Sequence, residues 1–335
     1  MTAASFDLEE KRLVAEIRKR KARRVLIQLP EGLKPYAPRL AAKIEKAGAQ
    51  AFISADPCYG ACDLAIHEAE VISADLIVHY GHTEMIAGVA TPVAYFEAKA
   101  KVDVKTAVKR AVPLLKLWKN VGLVTTIQHV DRLSAAKEVL LREEKKVAMG
   151  DAGRLKYAGQ IIGCDYSNPK AIKNQVDAFL FIGGGKFHAI GVSLATSKPT
   201  IVADPYEKRA YGVESEVQKT RKQRMVNVSE AKRAETFGIL IGLKPGQDRL
   251  QRAIKVKDKL ESEGKKAVLF AVREITPEAL MQFPTVNAFV NTACPRLVLD
   301  DSPRYSKPML TINEALVAIG EMDWEMLCRE GWFEN

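Results

Sequence analysis

The 335-residue sequence contains no long apolar run. A helix that crosses a bilayer needs about 20 consecutive apolar residues, and no segment approaches that length. The opening residues Met1–Glu10 are acidic and lack a hydrophobic signal-peptide core. We therefore expect a cytoplasmic protein with no membrane-spanning segment and no membrane partner.

Cysteine is also scarce. The chain has five cysteines, an odd number at wide spacings, which does not suit a disulfide framework. It has no Cys-x-x-Cys pair, which disfavours a local structural zinc module. The Cys-x-x-x-Cys-x-x-Cys run of the common enzymes that split S-adenosylmethionine is absent, although Cys58 and Cys62 have its first spacing. The remaining interpretations of these thiols are metal binding, catalysis or ordinary burial.

Aromatic residues make up only 7% of the chain, and no nucleic-acid-binding motif occurs, despite a net charge of +10. The basic residues alternate with acidic ones, as in Glu143-Glu144-Lys145-Lys146. This pattern favours a solvated basic surface over a direct nucleic-acid substrate. A basic face that receives an acidic or RNA-associated protein is a third interpretation.

What the sequence does contain is one α/β pattern that occurs three times. Short apolar strands alternate with helices, such as those predicted at 7–23, 132–144 and 246–263, which is typical of a parallel sheet with helices on its faces. The predicted strands are 24–30, 50–54, 75–80 and 91–96 in the first unit, 120–126, 146–149, 176–182 and 198–204 in the second, and 237–242, 266–270, 286–291 and 306–311 in the third.

The third strand of each unit supplies the best internal check on this repeat. These strands begin at Asp75, Asp177 and Asn287, roughly a hundred residues apart, and each is followed by a proline and a further strand. A chain of this length is expected to divide into two or three domains. We predict three similar parallel-sheet α/β domains in a pseudo-threefold arrangement about a central junction, over residues 1–105, 106–208 and 209–335.

Each unit carries one cysteine on a loop after a strand. Cys62 and Cys164 follow the second strands of their units, and Cys294 follows the third strand of its own. Loops at the carboxyl ends of parallel strands form the ligand crevice, so three crevices that face one axis would bring three thiols together. Such a set suits zinc with a water, or an iron–sulfur cluster with one free iron. Three unrelated buried thiols are the alternative, Cys58 competes with Cys62 as a ligand, and Cys328 is expected to serve packing.

Several motifs in combination resemble one known family. They are Tyr59-Gly60-Ala61-Cys62-Asp63, Gly163-Cys164-Asp165, Cys294-Pro295-Arg296, Gln28-Leu29-Pro30-Glu31-Gly32-Leu33 and His79-Tyr80-Gly81-His82. With them, over roughly residues 8–335, the chain resembles the enzymes that catalyse the first step of diphthamide biosynthesis, the 2-(3-amino-3-carboxypropyl)histidine synthases. The archaeal form is the closer match.

This resemblance implies a fold and an activity. Three α/β domains would each give one cysteine, Cys62, Cys164 or Cys294, to a [4Fe–4S] cluster whose open iron binds S-adenosylmethionine. The reduced cluster would cleave the bond from sulfur to the γ-carbon, and the resulting 3-amino-3-carboxypropyl radical would add to a histidine of translation elongation factor 2, with release of methylthioadenosine. The resemblance further implies a homodimer and an electron donor. Because the family ligand is the cysteine of Tyr-Gly-Ala-Cys, it favours Cys62 over Cys58.

Two features are candidates for binding S-adenosylmethionine. Arg296 could hold its carboxylate through bidentate hydrogen bonds, and a surface salt bridge is the alternative role. The glycines Gly183, Gly184 and Gly185 could let the backbone approach the cofactor closely, or they could form an ordinary strand-to-helix turn. They do not form a phosphate-binding P-loop, whose spacing is absent.

A second group of candidates lies at the ends of predicted strands. Gln28, Glu31 and Gly81 are expected to line the cofactor pocket or to shape a turn. His82 and His188 occupy matching strand ends in the first two units, where each contacts cofactor or substrate, or packs a loop.

Two other functions stay open. The quinolinate synthase type resembles this chain in having three α/β units around a three-cysteine [4Fe–4S] cluster, whose open iron acts as a Lewis acid in a dehydration. A non-enzymatic α/β protein would instead dock on a ribosomal or RNA partner through its basic surface. The apolar tail is expected to pack in the dimer interface or against its own domain; it contains Trp324, Met326, Leu327, Trp332 and Phe333.

Overall fold

The first sheet illustrates how the repeated pattern folds. The structure is a computed structural model that describes residues 6–333, so the first five and last two residues of the predicted domains lie outside it. Four parallel strands lie in the order β2-β1-β3-β4, and they are β1 (Arg24–Gln28), β2 (Gln50–Ile53), β3 (Leu76–Tyr80) and β4 (Val93–Phe96).

Alternate residues of these strands face opposite sides of the sheet, because side chains in a strand have a period of two. Val25 and Ile27 pack on one side with α1 (Glu10–Arg20) and α2 (Ala37–Lys46). Leu26 packs on the other side with α3 (Ile66–Val71). The sheet is therefore covered on both faces, as parallel sheets usually are.

The second sheet repeats this order and adds a strand at its edge. Its strands lie in the order β6-β5-β7-β8-β9, and they are β5 (Asn120–Thr125), β6 (Lys146–Ala148), β7 (Ala178–Ile182), β8 (Thr200–Asp204) and β9 (Arg209–Gly212). One face packs on α4 (Lys105–Ala111) and α5 (Leu133–Arg142). The other packs on α6 (Ser167–Ile172) and α7 (Phe187–Thr196).

The third sheet again has the order second-first-third-fourth. Its parallel strands are β10 (Thr236–Gly242), β11 (Lys266–Val272), β12 (Ala288–Asn291) and β13 (Met309–Leu310), arranged β11-β10-β12-β13. Its helices are α8 (Glu214–Ala231), α9 (Leu250–Ser262), α10 (Pro277–Met281), α11 (Pro295–Asp301), α12 (Ile312–Ala318) and α13 (Trp324–Met326).

Three sheets with one shared strand order confirm the predicted fold class of three similar parallel-sheet α/β units. The sequence did not predict β9 or α8. Strand β9 pairs antiparallel with β8, so it belongs to the second sheet although it lies just beyond the 106–208 range. The domain boundaries stay predictions, and this pairing argues for placing the second of them after Gly212.

The carboxyl-terminal tail packs inside its own chain. Leu327, Trp332 and Phe333 are buried in a core that also contains residues of the second sheet. The ring centre of Phe333 lies 4.4 Å from the ring centre of Tyr166, which belongs to the second unit. The tail therefore joins the second and third units. Of the two roles predicted for it, packing within its own chain is observed, and this packing extends beyond its own domain to the second unit. Cys328 packs against the same core, as predicted.

In each sheet the second strand pairs with one side of the first strand, and the third strand pairs with its other side. This reversal creates a crevice at the carboxyl ends of the first and third strands. No helix within residues 6–333 combines the length and the apolar character that crossing a bilayer requires.

Candidate metal centre

The three cysteines reach the junction of the units from three different loops. Cys62 lies in the loop between β2 and α3, and Cys164 lies in the loop between β6 and α6. Cys294 directly precedes α11, whose first residue is Pro295. Each of the three side chains is only partly exposed, and none forms a disulfide.

The thiols are close enough to influence one another electrostatically. The pKa of Cys164 is raised to about 12, chiefly by burial and next by the neighbouring Cys294 and Cys62. Burial also raises the pKa of Cys62, and Cys294 again contributes to this increase. Three thiols that disfavour each other's charge are a suitable site for a cation, because a metal replaces their protons and removes the repulsion. The structure thus brings together the three predicted ligands.

The loop after the first strand of the third unit holds Cys62 in place. The backbone N–H of Gly246 donates to the carbonyl of Cys62 at 2.8 Å. The side-chain amide of Gln247 donates to the Cys62 sulfur at 3.4 Å. A Cβ on Gly246 would lie 2.5 Å from the Cα of Cys62, so only glycine allows this approach. A hydrogen bond to a ligand sulfur is one of the features that set the potential of an iron–sulfur cluster.

Lys244 in the same loop makes a second connection to the first unit. Its buried ammonium group pairs with Asp63 at 3.0 Å and with Glu274 at 2.7 Å. It also lies 4.1 Å from the ring centre of Tyr59. Burial opposes the charge of Lys244, but the two carboxylates outweigh it and raise its pKa. The residues on both sides of Cys62 are therefore fixed by charge-assisted contacts across the unit boundary.

Gln28 supports the Cys62 loop from the first strand. Its amide nitrogen donates to the carbonyl of Asp63 at 2.6 Å, and its oxygen accepts from the N–H of Ala65 at 3.2 Å. The same oxygen lies 2.9 Å from Nδ1 of His79. Because both ends of this buried amide are engaged within the chain, its observed role is to position the loop.

His82, a predicted cofactor contact, pairs with His79. Nε2 of His79 and Nδ1 of His82 lie 2.9 Å apart. Burial lowers the pKa of His82 to about 4 and lowers that of His79 well below its usual value, so both rings are neutral at pH 7. Cys58 lies beside the two rings.

Arg296 lies beside Cys294 and is buried. Its guanidinium group pairs with Asp300 at 2.8 Å, donates to the carbonyl of Phe187 at 3.0 Å and lies 3.7 Å from the centre of the Phe187 ring. Its Nη1 atom is buried with no hydrogen-bond partner among residues 6–333. The salt bridge that was the alternative to cofactor binding is therefore present, although the Arg296 side of the pair is buried rather than at the surface. His188 stacks on Phe181 at 5.7 Å, and burial lowers its pKa to about 3 with a further contribution from Arg296.

The other predicted pocket residues occupy different environments. Gly81 packs on Pro30 with a φ of +85°, whereas Glu31 is exposed and pairs with Lys34 at 2.7 Å. The turn after β7 contains Gly183, Gly184 and Gly185, of which the last has a φ of +74° and open space around it.

Lys244, Gly246 and Gln247 were not predicted as site residues. A signal for them exists, since Leu243-Lys244-Pro245-Gly246 follows the first strand of its unit just as Leu29-Pro30-Glu31-Gly32 follows β1. The strand order makes these positions equivalent, and the Cys62 loop is held by the second of them and by Gln28, which directly precedes the first.

Comparison with known proteins identifies relatives along nearly the whole chain. The family model for diphthamide synthesis protein matches residues 29–328. A 2-(3-amino-3-carboxypropyl)histidine synthase of Pyrococcus horikoshii is 34% identical over 316 residues, which cover 94% of this chain and 91% of that protein. Subunit 1 of the synthase of Gallus gallus is 31% identical, with coverage of 96% and 79%.

Solved structures agree with these relatives. The crystal structure of Dph2 from Pyrococcus horikoshii with a 4Fe-4S cluster has a TM-score of 0.89 and 32% identity, and the match covers 98% of this chain and 94% of that chain. The resemblance seen in the sequence motifs is confirmed. This chain belongs to the diphthamide synthesis protein family.

Proposed function

We propose that the protein transfers the 3-amino-3-carboxypropyl group of S-adenosylmethionine to a histidine of translation elongation factor 2 in the cytoplasm, the first step of diphthamide biosynthesis. The observation that carries this proposal is that Cys62, Cys164 and Cys294, one from each α/β unit, lie on loops at the unit junction, near enough for Cys294 to raise the pKa of the other two thiols. The bond from sulfur to the γ-carbon breaks with uptake of one electron, and methylthioadenosine leaves. A carbon–carbon bond forms on an imidazole carbon, which gives up its hydrogen as a proton and one electron.

The donor set fits a [4Fe–4S] cluster. Three thiols from three loops supply three ligands and leave one iron open, as such a cluster requires in order to bind a cosubstrate. When bound, this group supplies one-electron cleavage of the sulfonium, with the electron coming from an external donor. The chain itself provides the three thiolates, the Gln247 hydrogen bond to one of them, and a buried setting that limits access of water.

Arg296 is the residue best placed to orient S-adenosylmethionine. It lies two residues after a proposed ligand, and its buried Nη1 has no partner among the described residues. A carboxylate would satisfy this donor, since a buried unpaired guanidinium nitrogen is costly. The contacts predicted for Gln28, Glu31, Gly81, His82 and the glycines Gly183, Gly184 and Gly185 stay predictions.

The protein works as a homodimer in this proposal, and the edge of the third sheet is the proposed interface. Val268 and Leu269 on the edge strand β11 are exposed, as are Met281 and Phe283 nearby. An exposed apolar edge strand favours association. Val268→Asp should convert a dimer to a monomer in sedimentation velocity, whereas Leu117→Asp, at an exposed leucine of the second unit, should not. An unchanged dimer in Val268→Asp would place the interface elsewhere.

The transfer reaction is tested directly with anaerobically purified protein. The protein is reduced with dithionite in the presence of S-adenosylmethionine and elongation factor 2 from the same source. We expect methylthioadenosine and a mass gain of one 3-amino-3-carboxypropyl group on a single histidine. If the protein contains iron but binds no S-adenosylmethionine, a cluster dehydratase of the quinolinate synthase type replaces this proposal. If it contains no iron, a binding protein does.

A further inference from the structure

The carboxyl end of β3 carries a second group of metal-binding side chains, different from the three thiols at the junction. Cys58, His79 and His82 each offer a ligand atom, and these atoms lie within 4.8 Å of one another. Cys58 and His79 are buried, and His82 is partly buried. Sulfur and imidazole nitrogen without a carboxylate suit zinc and similar first-row metals rather than magnesium or calcium.

Hydrogen bonds already hold His79 in a ligand orientation. The Gln28 nitrogen donates to the Asp63 carbonyl, so the Gln28 oxygen is the atom that faces the His79 ring. Nδ1 of His79 must therefore carry the proton and donate it, which leaves a lone pair on Nε2. Metal-binding histidines are usually oriented in this way, with the other ring nitrogen donating to an oxygen.

The observed spacing is close to that of a tetrahedral site. Ligand bonds of about 2.0 to 2.3 Å imply separations of about 3.3 Å between two nitrogens and about 3.5 Å between nitrogen and sulfur. Nε2 of His79 and Nδ1 of His82 are 2.9 Å apart, and the Cys58 sulfur lies within 4.8 Å of one ring nitrogen of each histidine. Side-chain movements of about 1 Å would complete the site, with the metal replacing the proton between the two rings.

We propose that Cys58, His79 and His82 bind one divalent transition metal of the zinc class, separate from the proposed cluster. Binding forms one metal–sulfur bond and two metal–nitrogen bonds. The thiol proton of Cys58 passes to solvent, the proton on Nδ1 of His82 is replaced by one on Nε2 so that the ring stays neutral, and a water occupies the fourth position. His82 then has a structural role in place of the cofactor contact predicted from the sequence.

Such a metal would strengthen the support of the Cys62 loop. Residues 54–65 between β2 and α3 contain no helix or strand. The loop is held by Gln28 from one strand and by Lys244 from another unit. A bond from Cys58 to the end of β3 would add a further attachment, four residues before the proposed cluster ligand. The proposal therefore predicts that zinc stabilises the folded protein.

The test uses the cluster-loaded full chain, prepared anaerobically. The protein is incubated with zinc chloride and passed over a desalting column, and zinc and iron are measured by elemental analysis. We expect about one zinc per chain in addition to the iron. Zinc K-edge absorption should show one sulfur and two nitrogen neighbours from the protein. Zinc should also raise the melting temperature.

Cys58→Ser and His82→Gln carry the test, since His79 is wholly buried and its replacement endangers folding. Each variant should lose at least tenfold in zinc affinity and keep the iron of the parent protein. Cys328→Ser, which removes a distant thiol, should keep both metals. Circular dichroism shows whether each variant is folded. If one variant does not fold, the other is sufficient for the test.

Three results would overturn the proposal. One is a parent protein that retains no zinc after desalting. Another is zinc binding that both folded variants retain at full affinity. The third is loss of iron together with zinc in Cys58→Ser, which would make Cys58 a ligand of the cluster itself.

Discussion

Two buried polar regions of this protein are built in opposite ways. In the third unit, Arg224 and Glu314 are fully buried and form a bidentate pair at 2.7 and 2.8 Å. Arg224 also donates to the carbonyls of Val298 and Met309, and the second Glu314 oxygen accepts the N–H of Thr311 at 2.8 Å. The junction of the units instead contains three partly exposed thiols and an unpartnered Nη1 on Arg296.

This difference separates structure from function. A buried polar group with all its partners inside the chain stabilises one arrangement and leaves nothing for a ligand. A region with a buried donor that lacks a partner is costly by itself and becomes favourable once a ligand binds. The Arg224–Glu314 pair therefore belongs to the fold, and we assign the junction to the proposed reaction.

The largest effect is expected from removing a thiol at the junction. Cys164→Ala leaves two thiols, which cannot hold the cluster that we propose, so iron should fall to background and transfer to elongation factor 2 should stop. Iron content and activity are measured on anaerobically purified protein. Cys328→Ala should keep both. Full iron content in Cys164→Ala would contradict the ligand assignment.

In the Arg224–Glu314 pair, one substitution should lower the stability of the fold and leave the iron content unchanged. Arg224→Met leaves the Glu314 carboxylate buried without its partner, which should lower the free energy of unfolding by about 3–5 kcal/mol. Urea unfolding followed by circular dichroism measures this change. The double variant Arg224→Met with Glu314→Gln removes the uncompensated charge and should recover much of the loss. Equal instability of the single and double variants would show that the charge is not the cause.

A smaller effect should follow from a methyl group at the contact between Gly246 and Cys62. The added Cβ would lie 2.5 Å from the Cα of Cys62, so the loop must move. Gly246→Ala should cost about 1–3 kcal/mol and lower the iron content, because it displaces a ligand loop. Gly32→Ala is the matched control, since nothing lies within 4 Å of that position. Equal stability and iron content in the two variants would argue that the close contact between Gly246 and Cys62 does not position the Cys62 loop.

The last effect is a change in the pH dependence of stability and concerns His129, which is buried like the Arg224–Glu314 pair but has a ring nitrogen without a partner, as the junction does on Arg296. It is buried, its Nε2 forms a hydrogen bond with the Tyr206 hydroxyl at 3.1 Å, and its Nδ1 has no partner within residues 6–333. Burial lowers its pKa from 6.5 to about 4, partly opposed by Asp204. Between these values the unfolded chain binds a proton that the folded chain does not, so acid favours unfolding.

The contribution of His129 is complete above pH 6.5 and disappears as the pH falls to about 4. In that window His129→Gln should reduce the pH dependence of the unfolding free energy by about 1.4 kcal/mol per pH unit. Urea titrations at several pH values measure this slope. A slope equal to that of the parent protein would mean that His129 is protonated in the folded state.

The strands and the three thiols could be predicted because their signals are local. Apolar runs mark the strands, and Cys62, Cys164 and Cys294 each follow one of them. Gln247 and the Arg224–Glu314 pair could not, because their partners lie 185 and 90 residues away in the chain. In addition, Arg224 lies within a polar segment of α8, and in the sequence such a segment predicts a solvent-exposed helix face. Long-range polar contacts depend on how the units pack, and the spacing of apolar residues in the sequence does not indicate that packing.

The most direct test is to locate iron in crystals grown without oxygen, using anomalous diffraction at the iron absorption edge. We predict one peak per chain, within bonding distance of the sulfurs of Cys62, Cys164 and Cys294. A peak between Cys58, His79 and His82 instead, or no iron peak in crystals of active protein, would contradict the central claim.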